Sequence, residues 1–240
     1  MRAAGSIALA CDAEGGRTRL RTIRCEGLSR SSRALREPSG AIRLVLSALG
    51  PGVLAGDLFS VTGAVEEAAT LIAGGQMATP VFGGGPSQTE ADWSVADGAT
   101  LLVASEPLVL EPGSTLRGRS TFAVEGSGRA ISVDTFALRG AARFSMRTQA
   151  TLDGRLVYRD VFDTSASDAA YGTVAVVCGS ASARTALVAA AKRIETRFPA
   201  VRLGTGETSG AAIVRLRGKH LWDVRAAAFA LAAAAEPAGY

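Results

Sequence analysis

Side chains with catalytic or metal-binding chemistry are few and scattered in this sequence. The one histidine, His220, stands at the start of a predicted helix, where capping or surface roles are typical, and the three cysteines are Cys11, Cys25 and Cys178. A single histidine excludes a metal centre built on clustered imidazoles and weakens any Ser-His-Asp triad. Three widely spaced cysteines form neither a disulfide framework nor a CxxC metal motif. They indicate a reducing compartment and buried thiols that act as small apolar side chains.

Two glycine-rich segments fail as nucleotide-binding loops. Residues 204–210 approach the GxGxxG spacing, but the third glycine comes one residue late and no helix begins directly after it. Residues 83–87 lack the lysine of a phosphate-binding loop. We interpret the first segment as a turn between strands and expect residues 83–89 to be the most mobile loop.

Carboxylates remain the only abundant reactive groups. A pair of them could carry out acid-base hydrolysis, but sequence spacing does not show that any two converge. The residues alone therefore predict a soluble, β-rich protein without a recognisable active site. The candidates are Asp57, Glu66, Glu67, Glu106, Glu111 and Asp134.

Composition is ordinary for a folded soluble protein, and with no signal segment evident we expect a cytoplasmic location. The 240 residues suffice for one domain, 48% are hydrophobic, and the net charge of +4 rests almost entirely on arginine. Such a charge suits acidic protein surfaces. Nucleic acid is disfavoured because the densest basic stretch, residues 17–36, carries no aromatic side chain for base stacking.

No membrane is expected, since no apolar run reaches the length of a spanning helix and the run before Cys11 is too short for a signal peptide.

The first two thirds of the chain have the pattern of short strands. Residues 144–152 alternate between less polar and polar side chains, Asp153-Gly154 favours a tight turn, and residues 156–162 return as the partner strand. Glycine and proline clusters separate the other candidates, which favours an antiparallel or coiled all-β body. Those candidates are residues 6–11, 17–25, 42–47, 57–64, 70–73, 100–104, 116–124 and 129–136. No repeat of fixed period is evident.

The pattern changes near residue 170. Leu187, Ala191, Ile194 and Phe198 form one stripe of a helix from about residue 182, which Pro199 closes. A second, alanine-rich helix is predicted over residues 220–235. Strands are predicted at residues 173–178, 201–203 and 211–216. The fold class is thus mainly β, with a body over about residues 5–170 and two α-helices in a small C-terminal α/β portion over about residues 171–235.

An ordered set of short motifs runs over roughly residues 5–230. The motifs are Gly15-Gly16-Arg17-Thr18, residues 50–57 ending in Gly56-Asp57, residues 76–82, residues 96–101, Ser105-Glu106-Pro107-Leu108, Asp134 with residues 138–143, residues 152–156 and residues 214–216. Each motif alone is common, but their order and spacing resemble the urease accessory protein family UreD, called UreH in some systems. Departures at Pro80, Arg139-Gly140 and Phe144-Ser145 indicate a divergent member.

The resemblance implies a coiled, β-helix-like body forming a single UreD-like domain over residues 1–240. It also implies a function: a non-enzymatic chaperone for nickel insertion, which binds UreF, joins UreG through that complex and contacts apo-urease in a hetero-oligomer. Nickel would be bound only in transit through an internal tunnel, with no tight metal site and no tightly bound cofactor. The residues proposed to line this conduit are Asp57, Glu106 and Asp134. The remaining family-motif residues are Gly52, Gly56, Gln76, Thr79 and Pro107.

Two other functions remain open from the sequence. The first is a coiled-β polysaccharide lyase or hydrolase that uses clustered carboxylates and arginines; its stacked coils would show a fixed period. The second is a β-rich adaptor with no metal role. Structural roles also compete with the conduit: Asp57 could cap a turn, and Asp134 could pair with a nearby arginine.

Overall fold

The computed structural model describes residues 4–75, 77–165 and 168–235, which form a β-solenoid-like coil of about four turns and two helices. The predicted mainly β class is therefore confirmed, whereas the single domain over residues 1–240 stays a prediction. The helices are α1 (Ala181–Arg197) and α2 (Leu221–Ala235). The strands are β1 (Ala4–Glu14), β2 (Arg17–Gly27), β3 (Ser29–Ser31), β4 (Leu35–Arg36), β5 (Ile42–Ala48), β6 (Leu58–Val65), β7 (Thr70–Gly74), β8 (Thr79–Val81), β9 (Pro86–Val95), β10 (Thr100–Ala104), β11 (Leu108–Leu110), β12 (Thr115–Val124), β13 (Arg129–Leu138), β14 (Arg143–Leu152), β15 (Arg155–Ser165), β16 (Ala169–Cys178), β17 (Val201–Glu207) and β18 (Ala211–Gly218).

Two sheets form the walls of the coil. Sheet 1 has the order β15-β14-β12-β9-β6-β1-β2, and its five inner strands run parallel. Sheet 2 has the order β17-β18-β16-β13-β10-β7-β5-β3, with β5, β7, β10 and β13 parallel. The chain alternates between the sheets, so each turn adds one strand to each wall. Strand β11 pairs with β8 on one side and with the end of β13 on the other, and these strands form a short third wall.

The strand register reveals a repeat that the sequence analysis did not find. Val65, Val95, Val124 and Leu152 occupy equivalent positions in sheet 1, at intervals of 30, 29 and 28 residues. At other equivalent positions the side chains differ, because neighbouring turns complement one another in size. Two residues earlier in each strand, the large Trp93 and Phe122 lie side by side between the small Gly63 and Ala150, and a Cβ atom on Gly63 would lie 2.1 Å from the Trp93 ring.

The expectation of a mobile loop over residues 83–89 is wrong for its second half. Residues 86–89 begin β9, which lies between β6 and β12 in the middle of sheet 1. This strand is rich in polar and small residues and so lacks a strong apolar alternation. Its buried positions, Ser87, Trp93 and Val95, are nevertheless spaced at even intervals on one face.

Three apolar clusters stabilise the fold. One fills the space between the sheets and includes Trp93, Phe122 and Leu101. A second lies by the third wall and includes Phe136 and Phe144, whose ring centroids are 4.0 Å apart. The third packs α1 and α2 against the outer face of sheet 2. The first two clusters both contribute side chains to the lining of a cavity between the sheets.

The C-terminal elements follow the predicted pattern closely. Ser180 caps α1, its Oγ accepting a hydrogen bond from the Ala183 amide at 3.3 Å, and Leu187, Ala191 and Ile194 are buried as their spacing predicts. The predicted hairpin is also present: β14 and β15 are joined by Asp153-Gly154, both with positive φ. Neither helix of the described residues is long and apolar enough to cross a membrane.

Candidate functional site

A cavity of about 220 Å³ lies between the two sheets, beside the short third wall. Its lining contains many small residues, because glycine, alanine, serine and threonine from facing strands do not fill the space between the walls. Among them are Ala73 and Ala104 from sheet 2 and Thr89, Ala91 and Ser120 from sheet 1. Most of the lining is apolar, so the few polar groups that enter it dominate its electrostatics.

Polar groups collect at the corner where sheet 2 turns toward the third wall. Backbone hydrogen bonds continue the ladder past the ends of β7 and β10: the Gly75 amide donates to the Ala104 carbonyl and the Ser105 amide to the Val133 carbonyl, both at 3.0 Å. Ser105 is thereby brought beside Asp134, and its Oγ donates to Asp134 Oδ1 at 2.8 Å. Both residues line the cavity.

Glu106 lines the same corner from the loop between β10 and β11. Its carboxylate accepts a hydrogen bond from the Thr79 hydroxyl at the start of β8. Gly75 packs against it so closely that a Cβ atom would lie 1.7 Å from Glu106 Cγ. The structure therefore brings together two of the three predicted conduit carboxylates and holds each with a hydroxyl donor.

The electrostatics at this corner favour weak rather than strong cation binding. Burial raises the pKa of Asp134, while the Ser105 hydrogen bond and the positive charge of Arg215 partly oppose that rise. On the side of α2, burial lowers the pKa of Arg225, and the negative charge of Glu106 opposes the change. Arg225 Nη1 donates to the Ser105 carbonyl at 3.4 Å, so the positively charged guanidinium group of Arg225 lies next to this corner.

Asp57 lies elsewhere and has a different role. It is 4% exposed and is not among the residues that line the cavity. Its Oδ2 accepts a hydrogen bond from the Leu54 amide at 2.9 Å, and its own amide donates to the Leu54 carbonyl at 3.1 Å. The geometry thus supports the turn-capping interpretation, because a carboxylate that bonds the backbone of its own turn fixes that turn.

We expect Asp57→Ala to destabilise the protein. The change leaves the Leu54 amide without this acceptor and removes a buried side chain, a loss of about 1–3 kcal/mol. For a chain of this length, that corresponds to a fall in Tm of roughly 2–4 °C per kcal/mol. Thermal unfolding followed by circular dichroism measures the shift. Asp57→Asn retains an acceptor oxygen and should recover most of the loss; equal losses in both variants would contradict the capping role.

The family-motif residues mainly shape the third wall. The Thr79 amide donates to the Pro107 carbonyl at 2.8 Å, which joins β8 to the loop before β11. Gly52 has φ +142°, and a Cβ atom there would lie 2.4 Å from the Pro80 carbonyl oxygen. Gly56 provides the positive φ, +87°, of the turn that Asp57 caps. Gln76 lies outside the described residues.

Sequence reasoning missed the groups that support the two carboxylates. Gly75, Ser105, Arg215 and Arg225 were not predicted as site residues, because their relation to Glu106 and Asp134 depends on strand register and on the docking of α2. The adjacent glycines that end β7 are the one local signal, since glycine inside a strand pattern often marks a close approach of another group.

No group of three His, Cys, Asp or Glu side chains in the described part of the chain is arranged to hold a metal ion. The Cys11 thiol is buried, and burial, with Asp12 and Glu66 adding smaller effects, raises its pKa to about 12. A thiol with this pKa remains protonated at neutral pH and is a poor metal ligand. That the protein has no tight metal site stays a prediction.

Comparison with known proteins identifies the family. No curated protein sequence matches the chain significantly. The family described as UreD urease accessory protein matches residues 3–239, nearly the whole chain. The lack of a fixed period in the sequence argued against a coiled-β lyase, but the structure has a repeat of 28–30 residues, so that argument no longer holds. The family match nevertheless favours an accessory role over a catalytic one. The chain belongs to the UreD urease accessory protein family.

Proposed function

We propose that this protein is a non-enzymatic scaffold for nickel insertion into apo-urease, acting in the cytoplasm in a complex with UreF and UreG. The observation that carries the proposal is the cavity corner, where Glu106 and Asp134 enter a largely apolar space inside a UreD-family coil. Nickel is the cargo of this process and not a resident cofactor.

The donor set suits a cation in transit. Tight sites for Ni²⁺ favour imidazole and thiolate ligands, whereas carboxylate and hydroxyl oxygens bind it more weakly. A conduit needs binding strong enough to admit the ion and weak enough to release it. Glu106 and Asp134, each already hydrogen-bonded to a hydroxyl, provide this intermediate affinity. The neighbouring Arg215 and Arg225 lower it further by charge repulsion.

The outer face of α2 supports the scaffold part of the proposal. Trp222 and Phe229 are 61% and 38% exposed, although large aromatic side chains are usually buried. They lie seven residues apart on the face opposite the buried Val224, Ala228 and Leu231. Exposed aromatic anchors surrounded by small residues are typical of protein interfaces, and we assign this face to a maturation partner.

Arg225 connects this face to the cavity corner. Its guanidinium carbon lies 4.8 Å from the Phe229 ring centroid, and its Nη1 reaches the Ser105 carbonyl. A partner that packs on Phe229 would therefore contact the side chain that places positive charge near Glu106. Partner binding and cation passage are thus linked through one residue.

Co-purification tests the scaffold role. Co-expressed with UreF and UreG, the tagged chain should recover both proteins, and Trp222→Glu should reduce their recovery about tenfold, because it places a charge in an apolar contact. Leu35→Glu is the matched control, since Leu35 on β4 is similarly exposed at 53%. Circular dichroism confirms that both variants fold. Full recovery with Trp222→Glu would remove α2 from the interface, and no recovery with the unaltered chain would refute the scaffold role.

A further inference from the structure

Arginines cover one end of the outer face of sheet 1. On β12, β14 and β15, buried side chains alternate with exposed ones, so the exposed residues share the face that points away from the coil. We call the arginine face the five exposed arginines Arg117, Arg119, Arg143, Arg147 and Arg159; the sixth exposed arginine of these strands, Arg155, pairs with Leu152 at the end of the hairpin and is not included.

The register places these like charges next to one another. Arg119 and Arg147 are direct neighbours on adjacent strands. Arg117 is opposite Ser145 and so is diagonal to both Arg143 and Arg147, and Arg159 is diagonal to Arg147. Like charges directly opposite on a sheet are destabilising. The arrangement therefore carries a repulsion that an anionic partner would relieve.

Carboxylates of the chain itself neutralise only one side of the arginine face. Arg119 forms ion pairs with Asp92 at 3.0 Å and Glu90 at 3.6 Å. Within residues 4–75, 77–165 and 168–235, no carboxylate oxygen lies within 4.0 Å of a guanidinium nitrogen of the other four. Asp163, opposite Ser145 on β15, is the nearest acid by register, yet it forms no such pair.

We propose that the arginine face is a docking surface for a carboxylate-rich surface of a partner protein. Guanidinium groups bind carboxylates in a bidentate manner, and arginine is enriched in protein interfaces. Val161, 57% exposed and directly opposite Arg147, adds the apolar contact that such interfaces contain. The inference rests on charge and register and does not depend on nickel transfer.

Two other anionic partners fit this face less well. Proteins that bind single-stranded nucleic acid combine basic residues with aromatic side chains for base stacking. The outward positions of β12, β14 and β15 in the described residues include no aromatic residue. A membrane surface is usually held by several inserted Trp, Phe or Leu side chains, and in the described part of these strands Leu156, 54% exposed, is the one exposed side chain of this kind.

Arg147→Glu separates docking from folding. The new carboxylate would stand beside Arg119 and diagonal to Arg117 and Arg159, so repulsion is replaced by attraction. We expect the Tm to stay the same or rise. At the same time, affinity for a labelled polyglutamate peptide, measured by fluorescence anisotropy at low salt, should fall about tenfold or more.

Arg33→Glu is the matched control, because it makes the same charge change at an exposed residue between β3 and β4. It should change the peptide affinity less than threefold, which is what the change in net charge alone contributes. Equal losses in the two variants would show that only net charge matters and would overturn the proposal. Duplex DNA and phosphatidylserine vesicles serve as further probes. If either loses more affinity than the peptide on Arg147→Glu, the arginine face is not a protein-docking surface.

Discussion

Deleting this chain from a host that makes urease should leave the urease protein at a normal level but largely free of nickel and inactive. The expected effect is large because the proposed function of this UreD-family chain is in nickel insertion into apo-urease and not in urease synthesis. Mass spectrometry on the purified enzyme measures the nickel bound per urease. Ureolytic activity at limiting nickel measures the loss of function.

Re-expression of the unaltered chain should restore both nickel content and activity. The Trp222→Glu chain should restore them poorly if α2 contacts a maturation partner, whereas the Leu35→Glu control should restore them fully. Full activation of urease in the deletion strain at limiting nickel would show that the chain is not required. A loss of urease protein itself would point to a role in urease stability instead.

Strong local signals made part of the fold predictable. The β14–β15 hairpin depends on a clear alternation and on Asp153-Gly154, whose positive φ angles match the turn. Helix α1 depends on an apolar stripe and on the proline that follows it. In both cases neighbouring residues determine the structure, so the sequence alone is sufficient.

The coil was harder to predict because its regularity lies in the backbone. Successive turns repeat at 28–30 residues, but at many equivalent positions the side chains differ, as Gly63 and Trp93 do, because they must fit against one another. Strand β9 was missed for a related reason. Its polar and small residues are stabilised by pairing on both sides, which is a tertiary effect that propensity does not contain.

The candidate site was half predictable. Family-like motifs singled out Glu106 and Asp134, and the structure places both in the cavity. The same reasoning singled out Asp57, which instead fixes a turn. Motifs show which residues a family uses, but whether a carboxylate points into a cavity or toward its own backbone depends on register and burial.

We expect the double variant Glu106→Gln, Asp134→Asn to reduce nickel loading of urease about tenfold while the complex with partners survives. The changes remove the carboxylates whose negative charge attracts a divalent cation within this space of low polarity. Each amide keeps an oxygen that accepts the existing hydrogen bond, from Thr79 to residue 106 and from Ser105 to residue 134. Shape and packing are therefore nearly unchanged.

The pKa of Asp134 predicts the effect of its change on stability. Burial raises that pKa above the usual 3.8, so the fold favours the neutral form. This contribution to stability is fully present below the unfolded pKa and is lost as the pH rises through the folded pKa. Asparagine is neutral at every pH, so Asp134→Asn should be at least as stable as the unaltered chain at neutral pH. Thermal unfolding at neutral and acidic pH measures the difference.

Reconstitution with purified partners, apo-urease and limiting nickel tests the cavity directly. Loading by the unaltered chain should fall as the pH is lowered through the raised pKa of Asp134, because protons then compete with the cation, and loading by Asp134→Asn should be less sensitive to pH. Glu111→Gln is the matched control: Glu111 pairs with Arg139 at 2.9 Å and does not line the cavity. Normal loading by the double variant would refute the conduit. Reduced loading together with loss of the complex would assign these carboxylates to assembly, since a conduit residue affects transfer and leaves partner binding intact.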